Sequence, residues 1–235
     1  MNTTLGAPHI VKVFSEELER LSADVVAMGG LAESMVSDAL RAASMRDGDL
    51  AARVKMTDAR VDQMQRDIEK QIIKLLALRQ PIARDLRVCI AALKIVNDLE
   101  RVGDLAKSIA RRVPTLNESE PTALNGAVER MGRVVQSHLN QVLDAYATSE
   151  ARRAVAVWER DDNVDEHYNA LFRDLITAMR ENDSMIKPGA HLLFIAKNLE
   201  RIGDHATNIA EVVHYLVTGQ ELTGDRPRGP RPETS

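Results

Sequence analysis

Apolar residues recur every three or four positions through most of the chain, and only a few short polar breaks interrupt them. From Val11 to Met45 this spacing predicts a first helix, ended by the turn MRDGDL around Gly48. A second helix is predicted from Asp49 to Leu78, with Val54, Val61, Met64, Ile68, Ile72 and Leu75 on one face, until Pro81 stops it. A third runs from Ala83 to Val113. The segment PTLNESEP, 114–121, is polar and bounded by prolines, and reads as a linker. The pattern then starts again, with helices predicted over Leu124–Ala147, Glu150–Met179 and, after a turn within ENDSMIKPG, His191–Val217. The closing stretch TGDRPRGPRPETS holds three prolines and few apolar residues, so it is expected to be flexible.

Three helices follow three helices because the sequence repeats itself. NDLERVGDLAKSIA at 97–110 returns as KNLERIGDHATNIA at 197–210, and DARVDQM at 58–64 matches DDNVDEH at 161–167. Leu18-Glu19-Arg20-Leu21 loosely matches Val128-Glu129-Arg130-Met131. Short connections force consecutive helices to pack antiparallel. The expected fold is therefore all-α: two tandem antiparallel three-helix bundles, 8–114 and 121–220, in a pseudo-twofold relation, followed by a tail at 221–235.

Composition agrees with helices packed through aliphatic seams, since aromatic residues make up only 3 % of the 235 positions. Lys and Arg number 31 against 35 Asp and Glu, a net charge of -4 that offers no general attraction to nucleic acid or anionic lipid. Cys89 is the only cysteine, which excludes an internal disulfide. MNTTLGAPHI has neither the basic nor the apolar region of a secretion signal, and no uncharged stretch approaches the ~18 apolar residues of a membrane span, so a cytoplasmic protein is expected. Membrane association is expected only through partners.

The candidate chemistry lies in the repeated acids. Glu100 and Asp104 lie one helical turn apart on one face, as do Glu200 and Asp204. Both pairs sit on the outer shoulder of a stripe that in the third helix comprises Ala92, Val96, Leu99, Val102, Ala106 and Ile109. Asp58 and Asp62 form a similar pair on the second helix. Asp62 and Glu100 are each nineteen residues from Pro81, and Asp58 and Asp104 each twenty-three, so an antiparallel hairpin brings all four to one level. Asp161 with Asp204, and Asp165 with Glu200, repeat the arrangement about the turn near Glu181. Like charges at this spacing repel, so four acids at one height call for a cation. Oxygen-only donors favour Mg, Mn, Ca or iron over a structural zinc site. Arg101 and Arg201 are the competing neutralisers, and a merely solvated acidic face is the plainer alternative. Asn208 and Glu211 extend the second face where the first has Ser108 and Arg111, so the second site is expected to be the richer in ligands. His205 is rotated away and is left out. Gly103 and Gly203 imply either a close neighbouring helix or room for a ligand.

With these residues the sequence resembles the PhoU family across nearly all of 8–220: the paired motifs LERVGD and LERIGD, RQPIARDLR after the second helix, and NIAEVVHYLVTGQ closing the sixth. The resemblance implies tandem three-helix bundles, often dimeric, that bind metal ions on their acidic surface. Carried over, the metal residues are Asp58, Asp62, Glu100, Asp104, Asp161, Asp165, Glu200 and Asp204, and the ions are divalent or iron-type: Mg, Mn, Fe or Zn. It further implies a non-enzymatic negative regulator of phosphate uptake and phosphate-starvation signalling, partnered by the sensor kinase PhoR and by PstB, the ATPase of the Pst phosphate transporter.

Two other classes compete. A carboxylate-bridged di-metal enzyme needs two Glu-x-x-His motifs within a bundle core; there is one, Glu211 with His214, and its first-half counterpart falls at Arg111 and Pro114. No phosphate-binding glycine loop is present. A metal-free helical scaffold explains the repeat but not the shared height of the acids. Cys89 and Trp158 read as packing residues, and Asp85 as a favourable charge in a helix's first turn. Arg84 and Arg87 are the exposed cations of the RQPIARDLR turn.

Overall fold

The computed structural model describes residues 7–227 and Gly229, with side chains from Val13 onward. Helices α1 (Ala7–Met45), α2 (Gly48–Arg79) and α3 (Ala83–Ala110) form the first half. A short α4 (Val113–Leu116) leads to α5 (Ala123–Thr148), α6 (Ala151–Trp158), α7 (Asp161–Glu181) and α8 (Ile186–Thr218), with one 3₁₀ turn, Asp183–Met185, before α8. Among the described residues there is no strand.

Local chemistry sets the ends of several helices. Asp47 caps α2 by accepting from the Leu50 N–H at 2.9 Å. Thr122 and Asn125 close a capping box on α5. Gln80 leaves α2 in a left-handed conformation and Pro81 follows, while α8 ends on Gly219.

Three sequence expectations need correcting. The predicted fifth helix, Glu150–Met179, is two helices: the run breaks at Glu159–Arg160 without proline or glycine. There Trp158 turns inward to donate its indole N–H to Glu211 of α8 at 3.1 Å, and Asp161 opens α7 with its carboxylate on Thr207. Tertiary partners make this break, so no local signal announced it. The third helix stops at Ala110, not at Val113. Part of the predicted linker is then a packed turn, α4, with Pro114 in its first turn, where the missing N–H costs no helical bond, and with Val113 and Leu116 buried.

In the first half α1, α2 and α3 all pack on one another; in the second, α5, α6 and α7 surround α8. The halves meet along α3 against α8 and α1 against α5, and their buried apolar residues form one continuous core. The α1–α5 contact is close. A methyl group at Gly29 would lie 2.6 Å from Leu143, and one at Gly132 2.7 Å from Leu40, so each helix offers a glycine to a leucine of the other. Cys89 is fully buried in α3.

The repeated glycines of LERVGD and LERIGD both face a neighbouring helix of their own bundle, and the approach is tight at only one of them. A methyl group at Gly103 would sit 3.4 Å from Val61 of α2; at Gly203 it would sit 3.1 Å from Val164 of α7. Alanine relieves glycine's helix penalty of about 1 kcal/mol. Gly103→Ala is therefore expected to leave stability unchanged or raised, whereas Gly203→Ala must push Val164 aside and lose that gain. Thermal unfolding of the two variants should rank Gly103→Ala above Gly203→Ala, and the reverse order would refute this packing account.

Candidate functional site

The eight acids gather in two groups, one per half, at the level expected from the hairpin geometry. Asp58 and Asp161 are buried, with 6 % and 5 % of their surface exposed, while Asp62, Glu100, Asp104, Asp165, Glu200 and Asp204 are half-buried along the rim. The shoulder position read for the LERxGD acids holds. The aspartate that opens each arrangement, Asp58 or Asp161, lies deeper because α2 and α7 face the core there.

In the first group, burial pushes the Glu100 carboxyl above its ordinary range; Asp104, Asp62 and Asp58 push it further and Arg101 opposes them. The other three acids are thus close enough to act on Glu100. The cation among them comes from the chain itself. Lys107, one turn beyond Asp104, donates to Asp104 at 2.8 Å and to Asp58. Burial alone would lower the Lys107 ammonium, but its hydrogen bonds to Asp104 and Asp58 outweigh that, and its pKa is raised. Arg101 adds looser pairs to Glu100 and Asp104, at 3.5 and 3.8 Å.

The second group has the same acids and a different cation. Thr207 stands where the first copy of the motif has Lys107. It is fully buried and donates its hydroxyl to Asp161 at 2.6 Å. Positive charge arrives instead from the tail beyond α8: Arg226 donates to Asp161 at 2.6 and 2.9 Å, to Asp204 at 2.7 Å and to Asn208 at 3.3 Å. Its side chain is only 15 % exposed. Burial pulls the guanidinium down, but Asp161 and Asp204 more than restore it. The Gly229 N–H donates to Asp165 at 2.9 Å. A free-lying tail was expected from 221 onward; its described part instead crosses the second acid group.

Glu200 carries the remaining strain. One oxygen takes Lys197 at 2.7 Å, while Oε2 is buried with no hydrogen-bond partner. Burial raises the carboxyl, as it does for Asp165. Carboxylates with an orphaned oxygen are a donor set that suits a hard cation, and in that sense the residues fit one. Among the described residues, however, no group of three or more His, Cys, Asp or Glu side chains surrounds a single metal position, because Lys107 and Arg226 hold the acids around themselves.

Sequence reasoning missed Lys107, Thr207 and Arg226 as members of these groups. The difference between DLAK and DHAT in the two motif copies was a legible signal for the first two; nothing local pointed to Arg226. His205, left out of the site, pairs instead with Asp98 across the α3–α8 seam at 2.8 Å. Glu211, read as an outer ligand, accepts from Trp158.

These features define a class: a tandem three-helix-bundle protein whose two halves each carry a rim of four acids. The PhoU domain profile matches residues 25–113 and 128–213. The chain is 54 % identical over 221 residues to the phosphate-specific transport system accessory protein PhoU homolog of Caulobacter vibrioides, spanning 94 % of this chain and 96 % of that protein. It is 44 % identical over 221 residues to the protein of the same description from Rhizobium meliloti, spanning 94 % and 93 %. The crystal structure of PhoU from Pseudomonas aeruginosa superposes with a TM-score of 0.86 at 41 % identity, over 88 % of this chain and all of that one. The chain belongs to the PhoU family.

Two outcomes follow from the geometry. Lys107→Met leaves Asp58 buried beside other acids without its cation, and breaking such a pair costs about 3 kcal/mol; adding Asp58→Asn should recover most of the loss in denaturant unfolding, and no recovery would show that Lys107 matters for other reasons. His138 packs under the second group, with Nδ1 buried and unpartnered, and burial lowers its pKa below the ordinary 6.5, with Arg160 helping and Asp161 opposing. The unfolded chain then takes up that proton first, so stability falls as pH drops below 6.5. His138→Gln should flatten stability against pH in that range; an unchanged slope would contradict it.

Proposed function

We propose that this chain is a non-enzymatic, cytoplasmic negative regulator of phosphate uptake and phosphate-starvation signalling, acting through contacts with the Pst transporter's ATPase PstB and the sensor kinase PhoR. The observation that carries this reading is the 54 % identity, over nearly the full length of both chains, to a protein described as an accessory of the phosphate-specific transport system. Two features support it. Among the described residues no helix is long and apolar enough to cross a membrane, which suits a protein that reaches the membrane through partners. The long helices offer extended faces for docking, and a homodimer would double them.

The acid groups belong to the same reading. Asp58, Asp62, Glu100 and Asp104 would hold one divalent or iron-type ion or cluster, and Asp161, Asp165, Glu200 and Asp204 another. Such an ion would satisfy the Glu200 Oε2 that has no hydrogen-bond partner and would set the shape and charge of the docking faces.

The test is a strain lacking this protein, grown in ample phosphate, with a reporter of a phosphate-starvation promoter and metal content measured on the protein recovered. The reporter should be derepressed and restored to repression by the native chain. The Glu100→Ala, Asp104→Ala, Glu200→Ala, Asp204→Ala variant, with helicity confirmed, should carry less metal and fail to restore it. A silent reporter in the deletion strain would refute the regulatory reading; a fully active variant free of metal would refute the role of the ions.

A further inference from the structure

The two halves neutralise the same acids by means that differ in one respect, how far the cation can travel. Lys107 belongs to α3 and lies three residues from Asp104, so the helix backbone keeps it within reach of Asp58 and Asp104. The second half has no such lysine: Thr207 fills its place and has no charge to offer. Arg226 spans the corresponding pair, Asp161 and Asp204, but reaches them on a segment without helical structure that leaves α8 at Gly219. This cation is tethered and can depart without unfolding any helix.

The tail is fitted to the place. Backbone at Gly229 comes so near α7 that a methyl group there would lie 2.5 Å from the Asp165 Cβ, and its N–H meets the Asp165 carboxylate. Between α8 and Arg226 the tail, through Leu222 and Gly224, roofs a cavity of about 460 Å³ whose floor includes Ile90, Lys94, Trp158 and Tyr215. That floor joins α3 to α8, the seam between the halves. Tail position therefore governs both the charge of the second acid group and the surface presented along the seam.

We propose that the C-terminal tail is a cation-operated latch: Arg226 occupies the second acid group in place of the lysine retained by the first, and a divalent cation enters that group only by displacing Arg226 and lifting the tail from the seam. The inference rests on the metal reading of the acid groups proposed above. It makes the halves unequal: in the first an ion binds beside the helix-borne Lys107, whereas in the second it takes the place of Arg226. The buried Glu200 Oε2, without a partner while Arg226 is docked, is the oxygen that an entering cation would satisfy.

Competition of this kind has a definite size. A latch closed about nine-tenths of the time weakens apparent cation affinity about tenfold, because only the open fraction can bind. The experiment is hydrogen exchange of the tail segment 219–227, measured by mass spectrometry on the full-length protein in EDTA and in Mn²⁺, with calorimetric Mn²⁺ titration alongside. Three chains are compared: native, Arg226→Gln and Thr207→Lys. In EDTA the native tail should be protected. Arg226→Gln should lose that protection, and Thr207→Lys should lose it too, because a helix-borne lysine would take the arginine's place as Lys107 does. Mn²⁺ should abolish protection in the native chain and should bind Arg226→Gln about tenfold more tightly. Should Thr207→Lys fail to fold, Arg226→Gln carries the comparison. Equal exchange of the native and Arg226→Gln tails in EDTA would show that no latch exists, whatever Mn²⁺ does. Mn²⁺ binding that leaves the tail protected would overturn the competition. A tail docked in EDTA with no Mn²⁺ binding to any of the three chains would overturn both the competition and the metal reading while leaving the tail contact standing, so the two failures are distinguishable.

Discussion

The packing of α3 against α8 is the constraint on which the rest of the molecule depends. Each packs on the other long helices of its own half, α3 on α1 and α2 and α8 on α5, α6 and α7, and each also meets the other. A helix so placed needs a wide apolar surface, and small residues let neighbours approach: Ala91, Ala92, Ala106 and Ala110 on α3, and Ala196, Ala206 and Ala210 on α8, are all buried. What remains of each surface is a narrow strip, and the acids of LERVGD and LERIGD occupy it. The position of the acids is thus a consequence of enclosure. They stand at the edge of a core, half-dehydrated, facing the next helix of their own bundle.

That edge explains their electrostatics. Carboxylates in water repel weakly, but those whose charged form is disfavoured by burial, such as Glu100, Glu200 and Asp165, gain from any nearby cation. Next to them, in both halves, one ammonium or guanidinium bridges the buried aspartate of the facing helix and the last acid of the motif. The bridge is built once from a helical lysine and once from a tail arginine. Pseudo-symmetry at the level of fold and acids thus coexists with asymmetry at the level of the counter-cation, and the second half, whose cation is held by loop backbone and not by a helix, is the more easily rearranged.

Phosphate-system accessory proteins in this family share the helical frame across bacterial relatives as distant as the Streptococcus pneumoniae regulator, which superposes at a TM-score of 0.83 with 32 % identity. The frame tolerates such divergence because aliphatic seams accept substitutions that keep their volume.

Much of this was legible in the sequence. Periodicity located the long helices, the repeat gave two bundles, and counting from Pro81 placed Asp58, Asp62, Glu100 and Asp104 at one height, since rise per residue is fixed in a helix. Local rules failed where a distant residue made the decision. Trp158 breaks a helix because Glu211 of α8 receives its indole N–H; Val113–Leu116 is a helical turn because its apolar side chains find the core; α3 carries a second apolar flank because α8 lies against it. The single stripe read for α3 was the part facing its own bundle, and a one-dimensional pattern cannot say how many neighbours a helix has. The counter-cations divide in the same way. Lys107 was within reach of sequence, since its partner Asp104 is one turn away and the other motif copy has threonine there. Arg226 was not, because nothing in the spacing of the residues after α8 says where a segment without helical periodicity returns; only the folded surface, with Asp161 buried and Asp204 beside it, offers a guanidinium a site worth the entropy of holding it.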